Sequence, residues 1–169
     1  MCIRDRVREP RHDANLFAQG PTKGLGKIRF HDYGPVYAGV DLPNVRVFRK
    51  QIGTFKKLLA LARPNKEQVG DIDFLLILGE LFTLVVYGQL ILENAPRHSV
   101  DDDLVDRIFD FMVRDFSRHA LNLYSKPSSN ETQMAACQKM IRKPVLDAER
   151  YERVWQQVHD LRDAYEMNP

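Results

Sequence analysis

The most apolar stretch of the chain covers residues 74–92 and has the sequence FLLILGELFTLVVYGQLIL. Its polar side chains are those of Glu80, Thr83, Tyr87 and Gln89. A stretch of this length is too long for an ordinary strand and predicts a helix. Apolar residues occur on every side of that helix, which is typical of a helix enclosed by other helices or by lipid. We therefore expect a central apolar helix over residues 71–95, buried all round by the rest of the chain.

A membrane span is the alternative for this stretch, because it meets the minimum length. Three features argue against it. Glu80 lies inside the stretch, and a carboxylate is costly in the bilayer core. The flanking charges are those of Asp71, Asp73 and Glu93, and no Lys or Arg directly adjoins either end. The rest of the chain also supplies enough amphipathic surface to cover the helix, so we predict no membrane span.

Two glycines of the same helix, Gly79 and Gly88, are nine residues apart and therefore lie on opposite sides of it. A glycine in a helix costs about 1 kcal/mol relative to alanine, but it lets a neighbouring helix approach closely. The pair therefore predicts close helix packing on both sides of the central helix.

Four further helices are predicted from apolar residues at helical spacing. They cover residues 44–62, 100–124, 129–141 and 147–167. Charged residues separate their apolar positions, which indicates helices with one buried face. The predicted N-terminal cap is Asp41 or Asn44 for the helix at 44–62, Asp71 or Asp73 for the central helix, and Ser99 for the helix at 100–124. The helix at 129–141 is predicted to begin with a capping box formed by Ser128 and Glu131. In the last helix the predicted core positions are Tyr151, Val154, Trp155, Val158, Leu161 and Tyr165.

Residues 1–43 are rich in glycine and proline and predict an irregular arm or linker, with a short extended piece at residues 28–33. The first six residues, MCIRDR, resemble a leader that recurs in translated metagenomic assemblies. We expect residues 1–6 to be an assembly artefact and the chain to be the tail of a longer one. Residues 44–169 are then expected to form an all-α helical bundle domain of about five helices.

Composition limits the class of protein. With 169 residues, 44% of them hydrophobic and 28% charged, the chain is long enough for one globular domain with its own core. The net charge of +2 is too balanced to indicate a nucleic-acid partner. Cys2 and Cys137 lie far apart and indicate neither a disulfide framework nor a zinc site. No apolar leader segment follows Met1, so we expect a cytoplasmic location.

Residues 20–27, GPTKGLGK, look like a phosphate-binding loop but do not fit the Walker A motif. Pro21 stands where that motif opens with glycine, and Ile28 stands where a Ser or Thr would contact magnesium. Lys23 and Lys27 are still suited to a phosphate or to the acidic surface of a partner. An anion-binding loop and a flexible basic arm both stay open.

Glu80 is the acidic residue inside the apolar helix, and a buried carboxylate with a raised pKa can act as a general base. The alternatives are an ion pair with Arg114 or Arg118 and a position at an oligomer seam. Among the other candidates for chemistry, His119 is able to pair with Ser117 or Cys137, but no nucleophile elbow or catalytic triad accompanies it.

The histidines show no metal-site spacing and no cluster with cysteine. They are His12, His31, His98, His119 and His159. We therefore assign no catalytic, cofactor-binding or metal-binding residue from the sequence.

Four segments resemble the C-terminal helical region of long bacterial acyl-CoA dehydrogenases, a flavoprotein family. They are GPTKGLGKIRFHDY at residues 20–33, DIDFLLILGELFTLVVYGQLILENA at 71–95, VRDFSRHALNLYSKPSS at 113–129 and RYERVWQQVHDLRDAYEMNP at 150–169. The resemblance extends over residues 17–169 and rests on whole segments rather than on a catalytic signature.

The resemblance implies a parent enzyme of fatty-acid oxidation that binds FAD and an acyl-CoA substrate. In that family a glutamate abstracts the α-proton and FAD takes the β-hydride. The Tyr-Glu-Gly-Thr-like context of that glutamate is missing, since Tyr165 and Glu166 match only its first two residues. The family's middle β domain and its flavin-contacting Arg and Gln-Phe-Gly residues also have no counterpart.

The implied role is therefore structural: a piece that is not catalytic, holds no FAD by itself, packs against the remainder of the dehydrogenase chain and supports a homo-oligomer. Two alternatives stay open. One is a stand-alone helical interaction or regulatory module, and the other is a small helical enzyme that uses Glu80.

Overall fold

The computed structural model describes residues 32–165, and this part of the chain contains seven α-helices and no strand. In chain order they are α1 (Tyr33–Ala38), α2 (Pro43–Leu61), α3 (Lys66–Gly70), α4 (Ile72–Asn94), α5 (Asp102–Tyr124), α6 (Glu131–Met140) and α7 (Ala148–Asp160). Short 3-10 turns follow α4 at Pro96–His98 and α7 at Arg162–Tyr165. The expected all-α bundle is confirmed.

Helix α5 lies at the centre of the packing and contacts α2, α4, α6 and α7. Its apolar buried residues recur every three or four positions, which places them on one broad face. They are Val105, Phe109, Met112, Val113, Phe116, Ala120 and Leu123. Helix α2 packs on α5 and α6, and α1 packs on α4. The core is therefore built around α5, and α4 forms one of its outer walls.

Aromatic rings fill the space between α1, α2 and α5. The ring centroid of Phe48 lies 5.5 Å from that of Phe109 and 5.4 Å from that of Phe116, both in edge-to-face geometry. Phe55 lies 5.9 Å from Phe116, and Tyr37 lies 6.0 Å from Phe48. Edge-to-face pairs add stabilisation beyond the area they bury. These rings fasten α2 to the middle of α5.

The expectation of irregular structure is wrong for residues 33–38, which form α1. Tyr37 of α1 is buried, and its hydroxyl donates a 2.7 Å hydrogen bond to the Val85 carbonyl of α4. Burial raises the pKa of Tyr37 above its ordinary value. Gly34 and Pro35 suggested a break, but proline is well tolerated in the first turn of a helix.

The remaining predictions for the N-terminal arm lie outside the described residues. They concern the leader at residues 1–6, the loop at 20–27 and most of the extended piece at 28–33, together with His12 and His31. The last two residues of the predicted helix 147–167 also lie outside.

The predicted caps of α2 and α5 are in the wrong place. Ser99 adopts a left-handed backbone with φ of 52° after the Pro96–His98 turn, and Asp101 caps α5 instead. Helix α2 begins at Pro43 after Leu42, which cannot cap it, and its Asn44 N–H donates to the Asp106 carboxylate of α5 instead. The prediction of Asp71 as the cap of α4 is confirmed, since its carboxylate accepts a 3.1 Å hydrogen bond from the Phe74 N–H.

Two short helices, α3 and α6, begin with the same capping box and face each other. The Gln68 N–H donates to Asn65 at 2.9 Å, and the Asn65 N–H donates to Gln68 at 3.0 Å. Gln133 and Asn130 repeat both bonds at the same distances. The two glutamine amides then bond each other in both directions, at 2.8 and 3.1 Å. Both amides are fully buried and both are satisfied.

This arrangement corrects two predictions. Helix α3 occupies residues 66–70, a segment that lies between two of the predicted helices and was not expected to be helical. The cap of α6 is Asn130 paired with Gln133, and not Ser128 with Glu131. The Ser128 carbonyl instead accepts a 2.6 Å hydrogen bond from the Gln68 side chain.

The two glycines of α4 have opposite surroundings, so we expect alanine substitutions of opposite effect. A Cβ at Gly88 would lie 2.9 Å from Met112 Cε and 3.3 Å from Phe109 Cε1, and closer still to the Tyr37 hydroxyl. We expect Gly88→Ala to lower the free energy of unfolding by about 1–3 kcal/mol through overpacking. A Cβ at Gly79 would meet nothing within 4 Å, so Gly79→Ala should raise it by about 0.5–1 kcal/mol. Urea unfolding of both variants measures the signs, and two changes of the same sign would contradict the assignment.

Candidate interaction surface

Helix α4 turns one side to the core and the other to solvent, so the prediction of burial all round is wrong. Its buried residues are Phe74, Leu81, Val85, Gly88, Gln89 and Leu92. On the opposite side the exposed fraction is 73% for Ile72, 59% for Leu76 and 50% for Leu90. We name the outer row the α4 stripe and define it as Ile72, Leu76, Gly79, Thr83, Val86 and Leu90. A contiguous exposed apolar surface is typical of a site where another molecule binds.

Gly79 lies in the middle of the α4 stripe, between Leu76 and Thr83. The prediction of close packing is confirmed at Gly88, which lies against α1 and α5, but no described atom approaches Gly79. A helical glycine that serves no contact within the described bundle still costs about 1 kcal/mol of helix propensity. The open surface above Gly79 leaves room for the large side chain of a partner.

One border of the α4 stripe is acidic. Asp73 and Glu80 lie on it two turns apart, and α4 contains no Lys or Arg. Lys126, at the end of α5, lies 3.6 Å from Asp73 and 3.4 Å from Asp71. The hydrogen bond from the Phe74 N–H and the nearby Lys126 hold the pKa of Asp71 below its usual value.

Glu80 does not form either of the ion pairs considered for it. Its Oε2 lies 2.6 Å from Nδ1 of His119 on α5, without the directional geometry of a hydrogen bond. Arg114 pairs with Asp110 at 2.7 Å, and Arg118 pairs with Asp115 at 3.1 Å. The Glu80 side chain is 54% exposed, so its carboxylate stays in contact with water at the border of the stripe.

The residues considered for a nucleophilic site are not brought together. The Ser117 hydroxyl donates to the Val113 carbonyl at 2.7 Å and accepts from the Arg142 N–H at 3.0 Å. Cys137 is fully buried, and burial raises the pKa of its thiol to about 11. Because the thiolate is the reactive form, the Cys137 thiol is inert at neutral pH.

A buried polar cluster joins four parts of the chain and was missed by the sequence analysis. Arg150 of α7 forms an ion pair with Asp106 of α5, and both side chains are almost fully buried. Asn44 donates to the same carboxylate from its backbone at 2.7 Å and from its side chain at 2.9 Å. The Val145 N–H donates to Asn44 Oδ1 at 2.7 Å, and Arg150 donates to the Val145 carbonyl at 2.9 Å. The charged and polar groups of this cluster bind one another, which indicates a structural role.

The apolar residues of α7 are mostly exposed, which contradicts their prediction as core positions. Val154 and Arg150 are the buried residues of this helix. The exposed fraction is 44% for Tyr151, 56% for Trp155 and Val158, and 50% for Leu161. Helix α7 therefore presents a second apolar surface to solvent.

A metal site and a membrane span each place requirements on the described residues. Within residues 32–165 no group of three His, Cys, Asp or Glu side chains is arranged to hold a metal ion. The segment Ile72–His98 is the one segment in this range that is long and apolar enough to cross a membrane. Core helices of globular proteins pass the same test of length and composition. The class of partner must therefore be argued from the charges beside the stripe.

No family model, no curated protein and no solved structure matches this chain.

Proposed function

We propose that the chain is a helical assembly module that docks through the α4 stripe onto a larger protein and carries out no chemistry of its own. The observation that supports this is the largely apolar row on the outer side of α4, in which Thr83 is the one polar side chain. Covering apolar surface gains about 25 cal/mol per Å². The other side of α4 is already packed against the core, so burying this outer row requires another molecule, and that burial favours binding.

The larger protein that we propose is an FAD-dependent acyl-CoA dehydrogenase, because four segments of the chain resemble the C-terminal helical region of that family. On this proposal FAD and the acyl-CoA substrate are bound by the remainder of the dehydrogenase chain. The module packs against that catalytic core and supports a cytoplasmic homo-oligomer. No residue of the module is assigned to FAD or to the substrate.

A stand-alone helical interaction module is the second candidate, and the core itself favours it. The aromatic cluster of α1, α2 and α5 is buried within the described helices, and the buried amides of Gln68 and Gln133 bond each other there. Such a module would use the same α4 stripe to bind a separate protein. The genomic reading frame before codon 1 distinguishes the two: continuation into an FAD-binding dehydrogenase core supports the first candidate, and a stop codon there supports the second.

Docking is tested by placing a charge in the middle of the stripe. We expect Leu76→Glu to weaken binding at least about tenfold, because the new carboxylate would be buried in an apolar contact. The matched control is Leu121→Glu, since Leu121 is 52% exposed on α5 and lies outside the stripe. The probe is the catalytic core of a bacterial acyl-CoA dehydrogenase from which the C-terminal helical region has been deleted. Calorimetric titration with the full chain measures both affinities.

Each result decides something. Binding that Leu76→Glu weakens and Leu121→Glu leaves unchanged supports docking through the α4 stripe. Equal binding by both variants contradicts the stripe as the docking surface. If the full chain does not bind the dehydrogenase core at all, the proposed parent enzyme is wrong.

A further inference from the structure

The α4 stripe has the spacing of a coiled-coil seam. Its residues follow one another at intervals of four, three, four, three and four, from Ile72 to Leu90. This alternation keeps a row of side chains facing a partner helix that crosses at a shallow angle. The core-facing side of α4 instead packs on α1 and α5. The outer side therefore carries a second set of helix-packing positions, and Ile72, Leu76 and Leu90 among them are exposed.

The two edges beside the seam differ in charge. One edge carries Asp73, Glu80, Tyr87 and Asn94 at intervals of seven residues. The other edge begins with Leu75 and includes Gln89, which is buried towards the core. Edge positions of this kind set the choice and the orientation of partners in coiled coils. The acidic edge thus determines which helix fits.

A second copy of α4 fits this seam poorly in both orientations. In an antiparallel pair, the acidic edge of one helix would face the acidic edge of the other, and like charges there are repulsive. In a parallel pair, Glu80 would face Leu75 of the other copy, so a carboxylate would lose water against an apolar side chain. An anionic lipid surface is also a poor fit, because α4 carries three carboxylates, and Lys126 at its acidic border is already paired with Asp71 and Asp73.

We propose that the α4 stripe forms one half of a coiled-coil-type pair with a helix of the docking partner that carries Lys or Arg along its facing edge. This inference rests on the proposed docking function and names the chemistry of the partner. The partner helix has its own apolar row at alternating intervals of three and four residues. A large apolar side chain of that row lies over Gly79, where the stripe offers open space.

Two synthetic helical peptides of the length of α4 test the proposal with the full chain. Both have the same Leu and Ile seam, and one carries Lys at both edges while the other carries Glu. Fluorescence anisotropy with labelled peptide, at concentrations where sedimentation shows the peptide to be monomeric, measures the affinities. We expect the Lys peptide to bind about tenfold more tightly than the Glu peptide, and we expect added salt to reduce the difference.

A charge reversal provides the decisive variant. We expect Glu80→Lys to remove the preference for the Lys peptide, because the acidic edge then carries one lysine beside the remaining carboxylate of Asp73. The matched control is Glu152→Lys, an equally large charge change at an exposed position of α7. It should leave the preference unchanged. Circular dichroism confirms that both variants are folded.

The outcomes separate this inference from the docking proposal. Equal binding of the two peptides, abolished by Leu76→Glu, would keep the stripe as the docking surface and overturn the basic-edge partner. Binding of neither peptide, or self-association of the chain that Leu76→Glu abolishes, would overturn the inference as well. Binding to the dehydrogenase core, measured separately, decides the docking proposal.

Discussion

Replacing Asp106 with alanine should lower the free energy of unfolding by about 3–5 kcal/mol, the range typical of breaking a buried ion pair from one side. The substitution leaves the guanidinium of Arg150 buried without its counter-charge. It also leaves the backbone and side-chain donors of Asn44 without their acceptor. Urea unfolding followed by circular dichroism measures the loss.

The matched control for this variant is Asp103→Ala. Asp103 also lies on α5 and also pairs with an arginine of α7, since Arg153 bonds it at 2.5 and 3.0 Å. That pair is exposed to solvent, where ion pairs contribute little. We expect its unfolding midpoint to move by only a small fraction of the shift in Asp106→Ala. Similar shifts for both variants would show that burial of the cluster does not matter.

Replacing Phe48 with alanine should cost about 3–5 kcal/mol of stability, because it opens a cavity at the junction of α1, α2 and α5. Phe48 is fully buried and its ring contacts the rings of Tyr37, Phe109 and Phe116. Thermal and urea unfolding measure the effect. The control is Phe111→Ala, because Phe111 is 52% exposed and its ring centroid lies 4.7 Å from the guanidinium of Arg107 and 5.9 Å from that of Arg114. Near-equal losses of stability in the two variants would contradict the assignment of Phe48 to the centre of the core.

The five longer helices, α2 and α4 to α7, were predictable from sequence because apolar spacing and helix breakers are local signals, whereas α1 and α3 are too short to show such a pattern. Helix α4 was expected over residues 71–95 and covers Ile72–Asn94, with Asp71 as its cap. The location of α4 within the bundle, as an outer wall rather than a central helix, was not predictable in the same way. An apolar residue contributes the same signal to the pattern whether its neighbour is the core, lipid or water. The pattern therefore identified the helix correctly but did not indicate which side the bundle covers.

The polar interior was harder to predict, because it depends on partners far apart in the chain. Asn44 was interpreted as a helix cap from its position near a helix start, but its side chain binds Asp106, 62 residues further along the chain. Arg150 and Asp106 are each ordinary charged residues in a local window. The one local signal was a carboxylate beside the apolar positions Val105 and Phe109, where a charge is buried only with a partner.

The acidic edge of the α4 stripe could have been predicted from the sequence. Asp73 and Glu80 are seven residues apart in an apolar run, and we considered an oligomer seam as one alternative for Glu80. The interval became meaningful only when the burial of Leu81 and Val85 showed which side of the helix faces the core.

The paired amides of Gln68 and Gln133 restrict how this protein can change over time. Each amide supplies the donor and the acceptor that the other needs, and each also closes the cap of its own helix. Losing one of them strands a polar group in the interior and opens a helix end in the same step. Substitutions at these two positions are therefore expected to occur together, as a second pair of side chains that keeps the mutual bond and both caps, or not at all. The four polar atoms of the two side-chain amides therefore make the evolution of residue 68 depend on that of residue 133.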